Sequence, residues 1–420
     1  MHMNQRNFIQ SGFFYFVFTF SLLYILFFPV PYYLFPNVGS WFTSVLNPFV
    51  GWLGNLFGII EPFTHELWSD STGHYLFTGF LVIFSFIASI FVSLLIKKDL
   101  SPKLVKWFHI FLSYYLALTL LKYGADKIFK HQFYLPEPNT LYTPVGQLTP
   151  DMLFWSTMGS SYSYTVFSGI IEIIPALLLL FRKTRLPGIL ISFAVLVNVV
   201  MLNFGFDITV KIYSSFLLLI TIVLLAPYIK SLYSIFVKRE NADIPLIGYE
   251  PQSRSGLLYY TLTKTFVIGL LLYESTGFYF ATGNLNDDLS PKSELYGAYD
   301  VYLFTDNGKI IPASMSYPGR FRRVFFHRRD YFIVQTMDDK FIDYNVLVDK
   351  NKKTLTLYNS GWPAHHELTS ELTYQIQENS LVIYGYFFDS YITLFSKKID
   401  LKKLPLLGEK MHWTIDQFKN

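Results

Sequence analysis

The sequence predicts an all-α polytopic membrane helix bundle of about seven transmembrane helices, followed by a C-terminal antiparallel all-β domain. Three observations lead there. The 420 residues are 52% apolar and 19% aromatic but only 15% charged, against about 25% charged in soluble domains. The charge is also unevenly spread: residues 1–289 hold 17 basic and 15 acidic side chains, and the much shorter stretch 290–420 holds 17 and 15 again. Finally, the apolar period changes from helical to alternating near Tyr299. The chain therefore divides into an N-terminal membrane region with two spans and an interfacial helical segment (1–103), a membrane bundle of four spans (104–230), a cytoplasmic linker with a seventh span (231–289), and a soluble β-meander (290–420).

Crossing about 30 Å of hydrocarbon takes about 20 apolar helical residues. Residues 8–28 supply an uncharged run ending at Pro29 and Pro31, and with no small-residue cleavage site it reads as a retained anchor. After it, Val45, Leu46, Phe49, Trp52, Leu53, Leu56, Phe57 and Ile60 recur at helical spacing. That pattern suits a helix in the outer interface or one packed against the protein, packing being the simpler reading. Further runs cover residues 75–96, 104–121, 164–181, 186–206 and 212–228, with a seventh at about 265–281. This last run has Lys264 at its start and Glu274 near its middle, so the carboxylate needs a partner.

Basic residues set the orientation. Arg6, Lys97, Lys98, Lys103, Lys106, Arg182, Lys183, Arg185, Lys230, Lys238, Arg239 and Arg254 flank one face, 12 in all, whereas Lys122, Lys127, Lys130 and Lys211 flank the other. The N-terminus is accordingly expected in the cytoplasm. Seven crossings then put the β-domain outside, which for a bacterial inner membrane is the periplasm.

In the β-region, Asp306-Asn307-Gly308, Asp338-Asp339, Lys350-Asn351-Lys352 and Glu378-Asn379 are hairpin tips between alternating runs such as 341–348, 354–358, 372–376 and 381–386. About eight strands joined in order give a barrel or sandwich. Arg320, Arg322, Arg323, His327, Arg328 and Arg329 read as a polar strand face, with anionic lipid headgroups or the membrane part as the alternative contact. His365-His366-Glu367 points to opposite sides of a strand and brings no further spaced ligand.

Ionisable and amide side chains within the spans are the best functional clue, because they are costly in lipid and usually face a bundle interior or cavity. Lys122, Tyr123, Asp126 and Lys127 end the third span, Glu172 lies mid-way along the fourth, Asn198 and Asn203 occupy the outer half of the fifth, and Asp207 and Lys211 open the sixth. Together they outline a polar pocket in the outer half of spans three to six. The structural alternative has Asp207 capping a helix, lysines snorkelling and asparagines bridging helices. Glu172 resists it, since a mid-span carboxylate requires a cation or a proton, and Lys127 and Lys122 are its expected partners. In the first outer loop, Glu61, His65, Glu66, Asp70 and His74 follow no compact ligand spacing, and Asp70 or Ser71 is expected to cap the second span.

The absence of cysteine excludes thiolate metal sites and iron–sulfur clusters held by this chain. His109 is the one histidine inside a span, which argues against haem, and no basic stripe suits nucleic acid.

The order Tyr123-Gly124-Ala125-Asp126-Lys127-Ile128-Phe129, then Glu172 in an apolar span, then the basic turn Arg182 to Arg185, resembles the DoxX-like family of four-helix membrane proteins. The resemblance covers about residues 107–228, and this chain adds two leading spans, a long loop at 131–162 and the β-domain. It implies a four-helix core and, in some members, quinone-linked sulfur oxidation or redox partners. A looser similarity, in the Gly-x-x-Lys order followed by a β-rich region, is to vitamin K-dependent carboxylase-like membrane domains.

Two functions compete. In one, the outer pocket holds a quinone headgroup, with Lys127, Asp126 and Glu172 as proton or hydrogen-bond partners and a partner protein supplying electrons. In the other, the chain is a non-enzymatic envelope protein whose β-domain recruits a partner while the bundle anchors it in the lipid bilayer. Transport lacks the inverted repeats that would support it.

Overall fold

The computed structural model describes residues 5–28, 33–34, 38–59, 70–96, 101–282, 288–359, 368–408 and 414. Glu61, His65, Glu66, Lys97, Lys98, His365, His366 and Glu367 lie outside them, as does the Arg6 side chain. The chain forms two units, one comprising Met1–Phe133 and Ser161–Asp287, the other Tyr134–Ser160 and Asp288–Asn420.

The first unit contains α1 (Gln5–Phe27), α2 (Val38–Leu56), α3 (Thr72–Leu95) and α4 (Pro102–Ile128). After α5 (Pro150–Ser160), which belongs to the second unit, come α6 (Tyr162–Leu179), α7 (Arg185–Gly205), α8 (Lys211–Leu225), the short α9 (Ile229–Tyr233) and α10 (Arg254–Thr282). Among the described residues, six helices are long and apolar enough to cross a membrane: α3, α4, α6, α7, α8 continued to Lys238, and α10. Helix α1 is 23 residues long and apolar from Ser11 to Phe27. The protein is therefore an integral membrane protein.

Side-chain packing gives the helix directions. Helices α1 and α3 are antiparallel, with Phe27 against Phe77 (5.4 Å) at one end and Gly12 facing Ser93 at the other. Buried Ser85, Ser89 and Ser93, four residues apart, give α3 a small-residue face that permits close approach. Helix α2 buries Val50 and Leu53 and sets Phe49 edge-to-face against Phe80 of α3 at 5.0 Å, while Trp41 and Trp52 stay exposed.

Helices α4 and α6 are antiparallel and cross at Gly124 and Gly169. A Cβ on Gly169 would lie 2.6 Å from the Gly124 carbonyl oxygen, and one on Gly124 would lie 2.8 Å from that of Gly169. Only glycine fits this crossing. Far along the same pair, Tyr114 Oη donates to Leu180 O at 3.4 Å. Helix α10, in contrast, runs parallel to α4: Lys122 meets Glu274, and Phe129, about two turns on, stacks on Tyr279 at 4.4 Å.

The second unit is a closed antiparallel barrel. Its strands are β1 (Gly297–Asp306), β2 (Lys309–Ile310), β3 (Phe321–Phe326), β4 (Tyr331–Thr336), β5 (Phe341–Asp349), β6 (Thr354–Asn359), β7 (Leu368–Gln377), β8 (Ser380–Phe387) and β9 (Ser390–Lys398). They pair in chain order, β9 closes on β1, and β2 is a short hairpin arm on the end of β1. Asn307 and Gly308 both take positive φ, as a two-residue hairpin turn requires. Inward positions alternate along each strand, for example Leu355 and Leu357, Leu381 and Ile383, Ile392 and Leu394, and they fill the interior. Between the barrel and sandwich expected from sequence, closure between β1 and β9 decides for the barrel.

Residues 134–160 fold with this barrel. Tyr142 packs on Ala298, Phe325 and Ile333, which face outward from the barrel wall. The Arg328 guanidinium is buried between Glu137 (2.7 Å), Asp288 (3.9 Å), the Leu135 carbonyl (2.7 Å) and the Tyr134 ring (4.1 Å). His327 Nε2 meets Asn139 Oδ1 at 2.6 Å, and Arg323 lies over the Tyr142 ring. Arg320 is buried and donates to the carbonyls of Val301, Ile311 and Phe321, while Arg322 pairs with Asp339 at 2.6 Å. The arginine cluster is thus mostly internal to this unit, which corrects its reading as a simple polar strand face.

Candidate functional site

The α4–α6 crossing builds the candidate site. Lys127 and Glu172 each follow their crossing glycine by three residues, so both emerge beside the contact. A Cβ on Gly169 would come within 3.0 Å of Lys127 Cβ. With glycine there, the lysine stem has room, and Nζ reaches Glu172 Oε2 at 2.7 Å with both residues buried. Tyr123 and Phe133 present their rings to the ammonium at 5.6 and 5.8 Å. The expected cation for Glu172 is therefore Lys127 and not Lys122.

Lys122 serves the other buried carboxylate. Its Nζ lies 3.1 Å from Glu274 Oε1, and Glu274 also accepts from the backbone N–H groups of Tyr33 and Leu34, the latter at 3.1 Å. This answers the cost of a charge within the seventh apolar run. Asp126 accepts a hydrogen bond from Tyr279 Oη of α10. Lys122 and Asp126 stand four residues apart on α4, yet each takes its partner from α10.

The remaining candidates separate. Asp70, not Asp207, caps α8: its carboxylate accepts from Lys211 N (2.7 Å) and Ile212 N (3.0 Å). Asp207 is exposed and pairs with Lys211 Nζ at 2.7 Å, which corrects its reading as the cap. Ser71 is the residue that caps α3, accepting from His74 N at 3.2 Å. Asn203 is buried with Nδ2 unpartnered among the described residues, whereas Asn198 is exposed on α7 and stands outside the pocket.

Set against known proteins, the chain is similar to the "Uncharacterized protein YwoB" of Bacillus subtilis (strain 168), 31% identical over 120 residues that make up 26% of this chain and 70% of that one. The chain belongs to the YwoB family. No family model matches it, and no solved structure does. The similarity to YwoB reaches about a quarter of the present chain, so much of the two-unit architecture lies beyond it.

Sequence reasoning missed a second set of buried polar groups. Tyr24 Oη lies 3.1 Å from His74 Nε2, and Tyr115 Oη lies 3.1 Å from Tyr213 Oη, with Thr119 3.5 Å from the same phenol. A tyrosine in an apolar run looks like packing, and only its phenol's position distinguishes it. Among the described residues no group of three His, Asp or Glu side chains is arranged to hold a metal ion.

Proposed function

We propose that the chain is a DoxX-like integral membrane protein whose outer bundle, at Lys127 and Glu172, binds the headgroup of a quinone and exchanges protons with it for a redox partner. The observation that carries this reading is the buried 2.7 Å pair between two spans, walled by Tyr123 and Phe133. Buried ion pairs add little net stability over apolar packing, so a pair at this depth suits a task beyond bracing.

The residues fit a quinone. The Lys127 ammonium is a donor suited to a carbonyl oxygen and Glu172 is a proton acceptor; the Asn203 amide of α7, unpartnered among the described residues, is proposed as a further donor. A bound quinone supplies coupled electron and proton chemistry. Lys127 orients the ring oxygen, Glu172 holds or releases the proton, and the apolar walls exclude water. The topology belongs to the same proposal: α10 parallel to α4, with basic residues flanking one side, supports seven crossings, a cytoplasmic N-terminus and an exoplasmic barrel.

Ubiquinone-1 titrated into the purified full-length protein tests the site. Saturable binding is expected, lost in Lys127→Met and weakened in Asn203→Leu. Absence of binding to the wild-type protein, or equal binding by Lys127→Met, would overturn it.

A second reading, an envelope anchor whose barrel recruits a partner, is favoured by exposed aromatic residues on β1, on β8 and in the turn after β8. Tyr302, Tyr386 and Phe388 are 64, 64 and 56% exposed, and Tyr386 pairs with Tyr391 across β8 and β9. Aromatic residues are enriched at interfaces.

A further inference from the structure

The opposite end of the first unit carries a groove that the proposed function does not use. It has a volume of about 350 Å³ and is lined by Phe181, which follows α6, and by Tyr260, Thr261, Lys264, Thr265 and Ile268 of α10. Thr261, Lys264, Thr265 and Ile268 stand at i, i+3, i+4 and i+7, so one helix face supplies two hydroxyls, an ammonium and an apolar floor. Lys264 Nζ sits 4.2 Å from the Phe181 ring centre and 5.6 Å from that of Tyr260. No carboxylate within ion-pair distance of it is found among the described residues, in contrast to Lys122, Lys127 and Lys211.

Charge accumulates here. Arg182 and Arg185 of the neighbouring turn are close enough to act electrostatically on Lys264. Arg182 is matched by Glu250 at 2.8 Å, but Arg185 is buried and, among the described residues, donates to the carbonyls of Leu179 (3.1 Å) and Ile247 (2.5 Å). Two of the three cations thus have no anion within ion-pair distance among the described residues.

Depth supports the same conclusion. Lys264 lies 18 residues before the end of α10 at Thr282, or about 27 Å at 1.5 Å per residue, close to the thickness of the hydrocarbon layer. Trp107, Tyr249 and Tyr260 stack in sequence beside it, at 6.0 and 5.6 Å. Such aromatic residues gather at the headgroup level. Below, α6 and α10 expose Ile174, Leu177 and Leu270.

We propose that this groove is a binding site for one anionic phospholipid, its phosphate on Lys264 with the Thr261 and Thr265 hydroxyls, and its acyl chains along α6 and α10. Cationic clefts between spans at the headgroup level suit such lipids.

The test is native mass spectrometry of the full-length protein released from nanodiscs of equimolar phosphatidylglycerol and phosphatidylcholine. One phosphatidylglycerol should be retained in preference to phosphatidylcholine. Retention should fall about fivefold in Lys264→Met, recover in Lys264→Arg, and stay at the wild-type level in Lys230→Met, a basic residue outside the groove. Thr261→Val with Thr265→Val keeps the charge and the fold and should also lower retention. Equal retention by wild type and Lys264→Met, equal loss in Lys230→Met, or displacement of the lipid by millimolar inorganic phosphate would each overturn the assignment.

Discussion

At the scale of single residues, the buried pair of Lys127 and Glu172 has the most to lose. Removing one member leaves an uncompensated charge among apolar side chains, at roughly 3–5 kcal/mol, whereas removing both is milder. A double-mutant cycle of Glu172→Gln and Lys127→Met, read as melting temperature in detergent, should therefore be strongly non-additive, while Glu172→Gln with Lys122→Met should be additive. Lys122 answers to Glu274 instead. In the barrel, burial and the neighbouring Arg328 lower the His327 pKa to about 4, against the usual 6.5. The unfolded chain binds this proton below pH 6.5 and the folded chain only near pH 4. Stability from neutral His327 is thus complete above about pH 6.5 and is lost as pH falls towards 4, up to roughly 3 kcal/mol. Hydrogen exchange of β3 in the full chain, corrected for intrinsic rates, should accelerate from pH 7 to 4.5 in the wild type and change much less in His327→Gln.

At the scale of elements, the crossing of α4 and α6 depends on two hydrogen atoms. Alanine at Gly169 would press on the Gly124 carbonyl and the Lys127 stem, and alanine at Gly124 on Ile173 and the Gly169 carbonyl. Backbone atoms cannot step aside as a side-chain end can, so the helices must separate. Gly169→Ala is expected to cost about 1–3 kcal/mol and, by moving Lys127 away from Glu172, to weaken ubiquinone-1 binding as well. An unchanged melting temperature would show that the crossing is looser than described. The same change at Gly79, where an added Cβ meets nothing within 4 Å, should have little effect and serves as the control.

At the scale of the whole molecule, the loop after α4 and the domain after α10 fold as one unit. A fragment of residues 288–420 lacks Glu137, the Leu135 carbonyl and the Tyr134 ring at Arg328, and the cover over Phe325 and Ile333. It should melt well below a version in which residues 134–160 are joined to it by a flexible linker, both followed by the β-sheet circular dichroism signal. Equal stabilities would mean that the loop merely rests on the barrel. For the membrane part, the proposed topology of seven crossings predicts that a phosphatase fused after Asn420 is active in a bacterial host and that a cytoplasm-dependent reporter is silent. The reverse pattern would remove α10 as a span.

What the sequence determined by itself was the part of the fold that local chemistry dictates. Apolar runs of sufficient length must be helices in lipid, because backbone groups there need internal partners, and alternating runs between turns such as Asn307-Gly308 must be hairpins. The need for a cation at Glu172 was legible for the same reason, since desolvation acts on the residue wherever its neighbours come from. Which lysine answers it was not, because Lys122 and Lys127 differ by little more than a turn, and only the glycine crossing and the arrival of α10 decide between them. Likewise Asp207 looks fit to cap α8 and Asp70 to cap α3, until the chain brings Asp70 to α8 from 141 residues away. The arginine cluster taken for a strand face became the anchor of a distant loop. Local periodicity depends on neighbours three or four residues apart, whereas the pairing of charges depends on which helices and loops meet, and that is set only when the whole chain packs.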